Sequence, residues 1–233
     1  MTLYSPEKLM KGDLIVEGRF VDASNATLFA KVKTSIEEGF SVVYKPIAGE
    51  RPLWDFPDGN LASREVASFL ISQAGGFNCV PTTVLRDGPF GVGAVQQWID
   101  VDDSIDFIEL GQSEEPAIRN IALFDVVVNN TDRKFGHILP ISQNEVYGCD
   151  HGVTLHEEFK LRTVLWQFAG EMLTELERER LARVRSFISE SADLKDLLTL
   201  NEINALIRRI ETLESEGFPL PSDQWPAVPW PPV

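Results

Sequence analysis

The residues best equipped for chemistry lie in one stretch, IALFDVVVNNTDRKFGHILPISQNEVYGCDHGVTLH, which runs from Ile121 to His156. All three histidines of the chain, His137, His151 and His156, fall inside it, together with Asp132 and Asp150. Each aspartate stands where a regular element gives way to a loop, and loops on a rigid scaffold are where catalytic groups concentrate. Upstream, Lys45 closes a strand-like run, and Glu65 sits on the helix-like run that follows. Phosphoryl transfer from a nucleotide needs few parts. A cation holds the phosphates, an acidic helix residue orients that cation, metal ligands bridge phosphate oxygens, and a carboxylate receives the acceptor hydroxyl. The chain offers candidates for all of them in a workable order: Lys45, Glu65, Asp132, His137, Asp150.

Within that stretch NNTDRKFGH resembles the Asn-x-Asp-Arg catalytic loop of the protein-kinase-like superfamily, in the branch that holds phosphatidylinositol 3- and 4-kinases and HipA-type kinases. CDHG resembles the Asp-x-Gly metal segment of that branch. The similarity extends, through VVYKP, GERPLWDFPDG and LRTVLW, to a small bacterial family named for its likeness to those lipid kinases. The resemblance implies a two-lobed α+β fold and an ATP-dependent phosphotransferase. It implies Asp132 as the catalytic aspartate, Asp150 as the main metal ligand, Lys45 as the phosphate-holding lysine and Glu65 as its partner. The superfamily has Asn at the second metal position, where His137 stands here. Mg²⁺ prefers oxygen, so His137 either coordinates a softer ion such as Mn²⁺ or only hydrogen-bonds to phosphate, and the cofactors expected are ATP with Mg²⁺ or Mn²⁺. No glycine lies between Val21 and Thr27, so Ser24 and Asn25 are expected to supply nucleotide contacts, and Gln97 and Trp98, after Gln96, fall where an adenine-binding hinge would lie.

Other chemistries remain open. His137, His151 and His156 with Asp150 would suit a two-histidine, one-carboxylate metal enzyme. A pseudokinase that holds nucleotide or a partner without turnover is the third reading. Single residues also have plain structural roles. Asp132 and Arg133 alone would make a surface turn pair worth at most ~1 kcal/mol. Asp125 is expected to support the catalytic turn as an acceptor, His156 to be structural, and Arg51 and Arg64 to aid phosphate binding or offset nearby acids.

The elements that must position these groups follow from period and punctuation. Ser5-Pro6 predicts a short helix through Met10. Alternation predicts strands over Asp13 to Phe20, Thr27 to Lys33 and Phe40 to Tyr44, the last delivering Lys45, with turns at Asp22 to Ala26 and at Glu37-Glu38-Gly39. Asn60 predicts the start of a helix from Leu61 to Ala74, stopped by Gly75-Gly76. Two more strands, Thr82 to Arg86 and Gly93 to Ile99, complete a sheet-rich lobe over residues 1–100. The acidic VDDSID reads as an exposed connection to a mainly helical lobe over 101–233. There Pro116 opens a helix ending near Asn129-Asn130, and short strands are expected over Ile138 to Ile141 and Glu145 to Cys149. Helices are expected over Leu161 to Phe168, Glu175 to Ile188, and after the Thr199 and Glu202 capping box, where Ile203, Leu206, Ile207, Ile210 and Leu213 form one stripe. The proline-rich tail from Gly217 is expected to wrap the surface.

Bulk properties narrow the partners. A formal charge of −15 and a pI near 4.6 argue against nucleic acid, because the long-range field repels polyanions. Any phosphate must therefore be met by local cations or a metal. A hydrophobic content of 43% supports a sizeable core. Two cysteines, Cys79 and Cys149, read as buried small hydrophobes in a reducing compartment. No window reaches the ~20 apolar residues of a membrane span, and the first residues lack the pattern of a signal peptide. A soluble, cytoplasmic protein is expected, acting on a small-molecule or protein hydroxyl with no integral membrane association.

Overall fold

The structure, a computed structural model, describes residues 3–21, 25–33 and 39–233. Ser24 and the expected turn residues Asp22, Ala23, Glu37 and Glu38 lie outside them. One part is a five-stranded antiparallel sheet of β1 (Asp13–Arg19), β2 (Leu28–Lys33), β3 (Phe40–Pro46), β4 (Thr83–Gly88) and β5 (Gly91–Gln97), in the order β1-β2-β3-β5-β4. Strand alternation sorts β3 into two faces. Val42 and Tyr44 enter a core closed by Leu9 of α1 (Pro6–Met10), while Val43 and Lys45 turn toward a cleft. Lys45 pairs with Ala94 of β5, and Ala94 packs on Ala62 and Val66 of α2 (Leu61–Gly75).

The sequence after β3 sets α2 firmly. Asn60 Oδ1 accepts from Ser63 N at 2.7 Å, and the Glu50 carboxylate accepts from Leu61 N and Ala62 N at 2.9 and 2.8 Å. The helix ends at Gly76, whose φ of 73° is the left-handed conformation glycine adopts without cost. Ser63, Arg64, Glu65, Ser68 and Ser72 are buried along with its apolar residues. Such a helix shows little amphipathic periodicity, and its charged groups must find protein partners.

The helical part comprises α3 (Phe107–Gly111), α4 (Pro116–Val128), α5 (Glu175–Glu190), α6 (Ala192–Leu197) and α7 (Leu200–Glu216), with a small hairpin of β6 (Ile138–Pro140) and β7 (Val146–Gly148). The Thr199 and Glu202 capping box forms, and Ile203, Leu206, Ile210 and Leu213 of α7 are buried while Ile207 is partly so. Among the described residues no helix is long and apolar enough to cross a membrane.

Two expectations need correction. The stretch from Leu161 to Phe168 is not a helix; only Trp166–Phe168 forms a 3-10 turn. Its backbone is engaged elsewhere. Arg162 N donates to Asn130 O, Arg133 N to Arg162 O and Val164 N to Arg133 O, at 2.9, 3.0 and 3.1 Å. The acidic connection is exposed as expected and leads into α3, which Asp106 Oδ1 caps by accepting from Ile108 N and Glu109 N. Strand β5 stops at Gln97, so Trp98 lies just beyond the sheet.

Candidate active site

A cavity of about 790 Å³ separates sheet and helices. Lys45, Glu65, Asp132, His137 and Asp150 all line it. The Lys45 ammonium contacts both the Glu65 carboxylate and Asp150 Oδ1, the latter at 2.9 Å. Burial pulls the Lys45 ammonium toward neutrality, but Asp150 and Glu65 outweigh it, so its pKa lies above the ordinary lysine value. The same ammonium holds the Asp150 carboxyl below the usual carboxylate range, against burial. Glu65 is pushed up by burial and by the Asp150 charge, while Lys45 and the backbone N–H of His151, 3.1 Å from Glu65 Oε2, favour its ionised form. That last bond needs a close approach. A Cβ added to Gly152 would meet Leu61 Cβ at 3.2 Å, so the glycine of CDHG lets the segment bearing Asp150 lie against α2. Asp150 has a φ of 59°, a conformation in which aspartate is one of the better tolerated non-glycine residues.

The turn that carries Asp132 is built from α4. Asn129 ends the helix with a φ of 53°, and Asn130 Nδ2 donates to Asp125 Oδ1 while its Oδ1 accepts from Asp132 N. Asp125 and Arg133 are both fully buried and form a two-point ion pair, with Nε to Oδ2 and Nη2 to Oδ1 each 2.9 Å. Arg133 Nη1 donates to Cys149 O at 2.9 Å, and Nη2 lies 2.8 Å from His151 Nε2. Arginine carries only donors, so His151 Nε2 accepts and the ring proton sits on Nδ1. One guanidinium thus ties the turn bearing Asp132 to the segment bearing Asp150. Asp132 itself is about a third exposed, and its pKa is raised by burial, with Asp150 adding to the effect and Lys134 opposing it.

His137 Nε2 lies 3.5 Å from Asp150 Oδ2, and its Nδ1 is buried without a partner among the described residues. Burial pushes its pKa down to about 4, so the imidazole is neutral at pH 7. One carboxylate and one neutral imidazole side by side fit a divalent cation whose other ligands come from phosphate and water. Among the described residues no group of three His, Cys, Asp or Glu could hold a metal. The three-histidine arrangement does not form. His151 is buried against Arg133, and His156 packs edge-on against Phe56 with Nδ1 accepting from Glu158 N, the structural role expected for it.

Other expected residues fall differently. Asn25 lines the cleft, but its Oδ1 accepts from Arg51 N at 2.8 Å. Gln97 borders the cavity, yet it pairs with Val42, sharing that residue's core-facing side, and its Oε1 accepts from Tyr4 N at 2.7 Å. Gln96 instead shares the face of Val43. Trp98 stacks on Phe20, and both line the cavity as an apolar wall. Arg64 is buried, pairing with Glu202 and donating to Thr154 O, so it offsets an acid and does not reach phosphate. Cys79 is buried as expected, Cys149 is half-buried at the cleft, and both are free thiols pushed up to about 12 by burial. The cleft is also lined by Lys134, Arg162, Leu53, Asp55 and Phe56. Lys134 directly follows the Asn-x-Asp-Arg pattern in NNTDRKFGH and was not singled out by it. Arg162 was visible only as part of LRTVLW.

No protein-family model matches the chain. It is 38% identical to protein Rv2133c of Mycobacterium tuberculosis, over 99% of this chain and 97% of that protein. The chain belongs to the Rv2133c family. Among solved structures it is similar to the Golgi casein kinase, with a TM-score of 0.57 at 13% identity, over 91% of this chain and 72% of that one. The same kinase with Mn/ADP bound gives a TM-score of 0.59 at 13% identity, over 91% and 74%. These likenesses show a two-lobed, protein-kinase-like fold.

Two outcomes check the site's construction. Asp125→Ala strips the buried Arg133 of its counter-charge and should cost ~3–5 kcal/mol in urea unfolding, more than the paired apolar replacement of both residues. His137 has a folded pKa near 4 against an ordinary 6.5. The unfolded chain therefore binds more protons between those values, and the His137 contribution is complete above pH 6.5 and lost as pH falls toward 4. His137→Asn should lose less stability than wild type on acidification through that window, measured by unfolding midpoints.

Proposed function

We propose that the protein is an ATP- and divalent-metal-dependent phosphotransferase acting on an alcohol acceptor, of the branch that includes phosphatidylinositol 3- and 4-kinases and HipA-type kinases. The observation that carries this reading is the Lys45 ammonium shared by Glu65 and Asp150, with Asp132 and His137 opening onto the same cavity. The neighbour bound to Mn/ADP supports nucleotide and metal use by this fold. Two free cysteines support a reducing, cytoplasmic setting.

In this reading Glu65 holds the Lys45 charge at the cleft, where it neutralises phosphate oxygens. Asp150 and His137 would hold the cation, which would supply further positive charge at the phosphates when bound. The Phe20 and Trp98 wall receives the base. Asp132 accepts the proton of the acceptor hydroxyl; the new oxygen–phosphorus bond forms as the bond to the β,γ-bridging oxygen breaks, and ADP leaves. Its raised pKa suits proton acceptance.

Asp132→Asn should lower γ-phosphate transfer by roughly 100-fold or more, followed with labelled ATP and Mg²⁺ or Mn²⁺. If wild type leaves the γ-phosphate in place, the kinase reading fails; if it binds ATP with no transfer, a pseudokinase remains.

A further inference from the structure

Resting on the phosphotransferase reading, we infer that Arg162 anchors an anionic group, a carboxylate or phosphate, carried by the acceptor beside its reacting hydroxyl. Arg162 lines the cleft close enough to Asp132 to stabilise that carboxylate's charge. Its backbone is fixed on both sides of Asp132 in the chain, with N donating to Asn130 O and O accepting from Arg133 N, at 2.9 and 3.0 Å. Its position is therefore as rigid as that of the catalytic turn.

The side chain is also prepared. Nε donates to Pro226 O of the C-terminal tail at 3.1 Å. That tail is docked on the same segment, since Ala227 O accepts from both Thr163 N and Trp166 Nε1 at 3.0 Å, and Pro232 O accepts from Phe135 N at 2.9 Å. With Nε taken, the two terminal nitrogens remain, and a guanidinium fork presents them together to a two-oxygen anion. The other cleft cations are engaged: Lys45 with Glu65 and Asp150, and Lys134 3.7 Å from Asp132. Arg162 makes no ion pair among the described residues. In a chain of net charge −15, with Asp55 also facing the cavity, the long-range field does not draw an anion in. A local fork beside the catalytic carboxylate is what would select one.

The test measures kcat/KM for phosphate transfer to glycerol, glycerate and glycerol 3-phosphate by wild type, Arg162→Ala and Arg162→Lys, with thermal midpoints as a folding check. Wild type should prefer an anionic alcohol over glycerol by roughly tenfold or more, the worth of a charged hydrogen bond, and the better of the two names carboxylate or phosphate. Arg162→Ala should abolish that preference, and Arg162→Lys should keep part of it. Equal use of neutral and anionic alcohols overturns this inference alone. So does a preference that survives Arg162→Ala while only the affinity for ATP falls. A wild type that transfers phosphate to nothing overturns the phosphotransferase reading and this inference with it.

Discussion

One ammonium stands between two carboxylates drawn from distant parts of the chain. Lys45 comes from the sheet, Glu65 from the helix that follows it, and Asp150 from the segment after β7. The rest of the structure serves this meeting. Strand alternation turns Lys45 away from the core that takes Tyr44. Glu50 and Asn60 fix the start of α2, and Gly152 lets the Asp150 segment lie against it. Burial of unlike charges rarely adds much net stability, because desolvation offsets the attraction. A cluster that takes Glu65 out of water beside a cavity, with Asp150 half exposed, is better explained by what it does than by what it stabilises.

The second fastening is buried and carries no chemistry of its own. Asp125 and Arg133 lock the Asp132 turn to the carbonyl of Cys149 and the ring of His151. The two groups that would act on acceptor and metal are thus held by one planar guanidinium with five donors. A third layer continues outward, through the extended residues around Thr163 to the tail carbonyls of Pro226 and Ala227. The proline-rich tail, unable to form a helix or a central strand, still satisfies the backbone donors of the buried residues Thr163 and Phe135.

Much of this was legible in sequence where local pattern and tertiary role agree. The alternation of β2, the capping box and stripe of α7, and the order Lys45, Glu65, Asp132, His137, Asp150 all survive in the structure. What escaped depends on partners far away in the chain. The apolar spacing of Leu161, Leu165 and Phe168 suits a helix, yet Asn130 and Arg133 claim the backbone between them. Gln97 stands at the hinge by position, but β3 register turns its carboxamide toward Tyr4. Arg162 carries no motif of its own, and only the pairing with the catalytic turn brings it beside Asp132.

The claim that Lys45, Asp150 and His137 form a nucleotide–metal site is tested most directly by calorimetric titration of ADP into wild type and Asp150→Asn, with and without Mn²⁺. The account predicts saturable one-to-one binding that requires Mn²⁺ and weakens by roughly tenfold or more when the Asp150 charge is removed. Binding indifferent to both the metal and Asp150, or no binding by wild type, would contradict it.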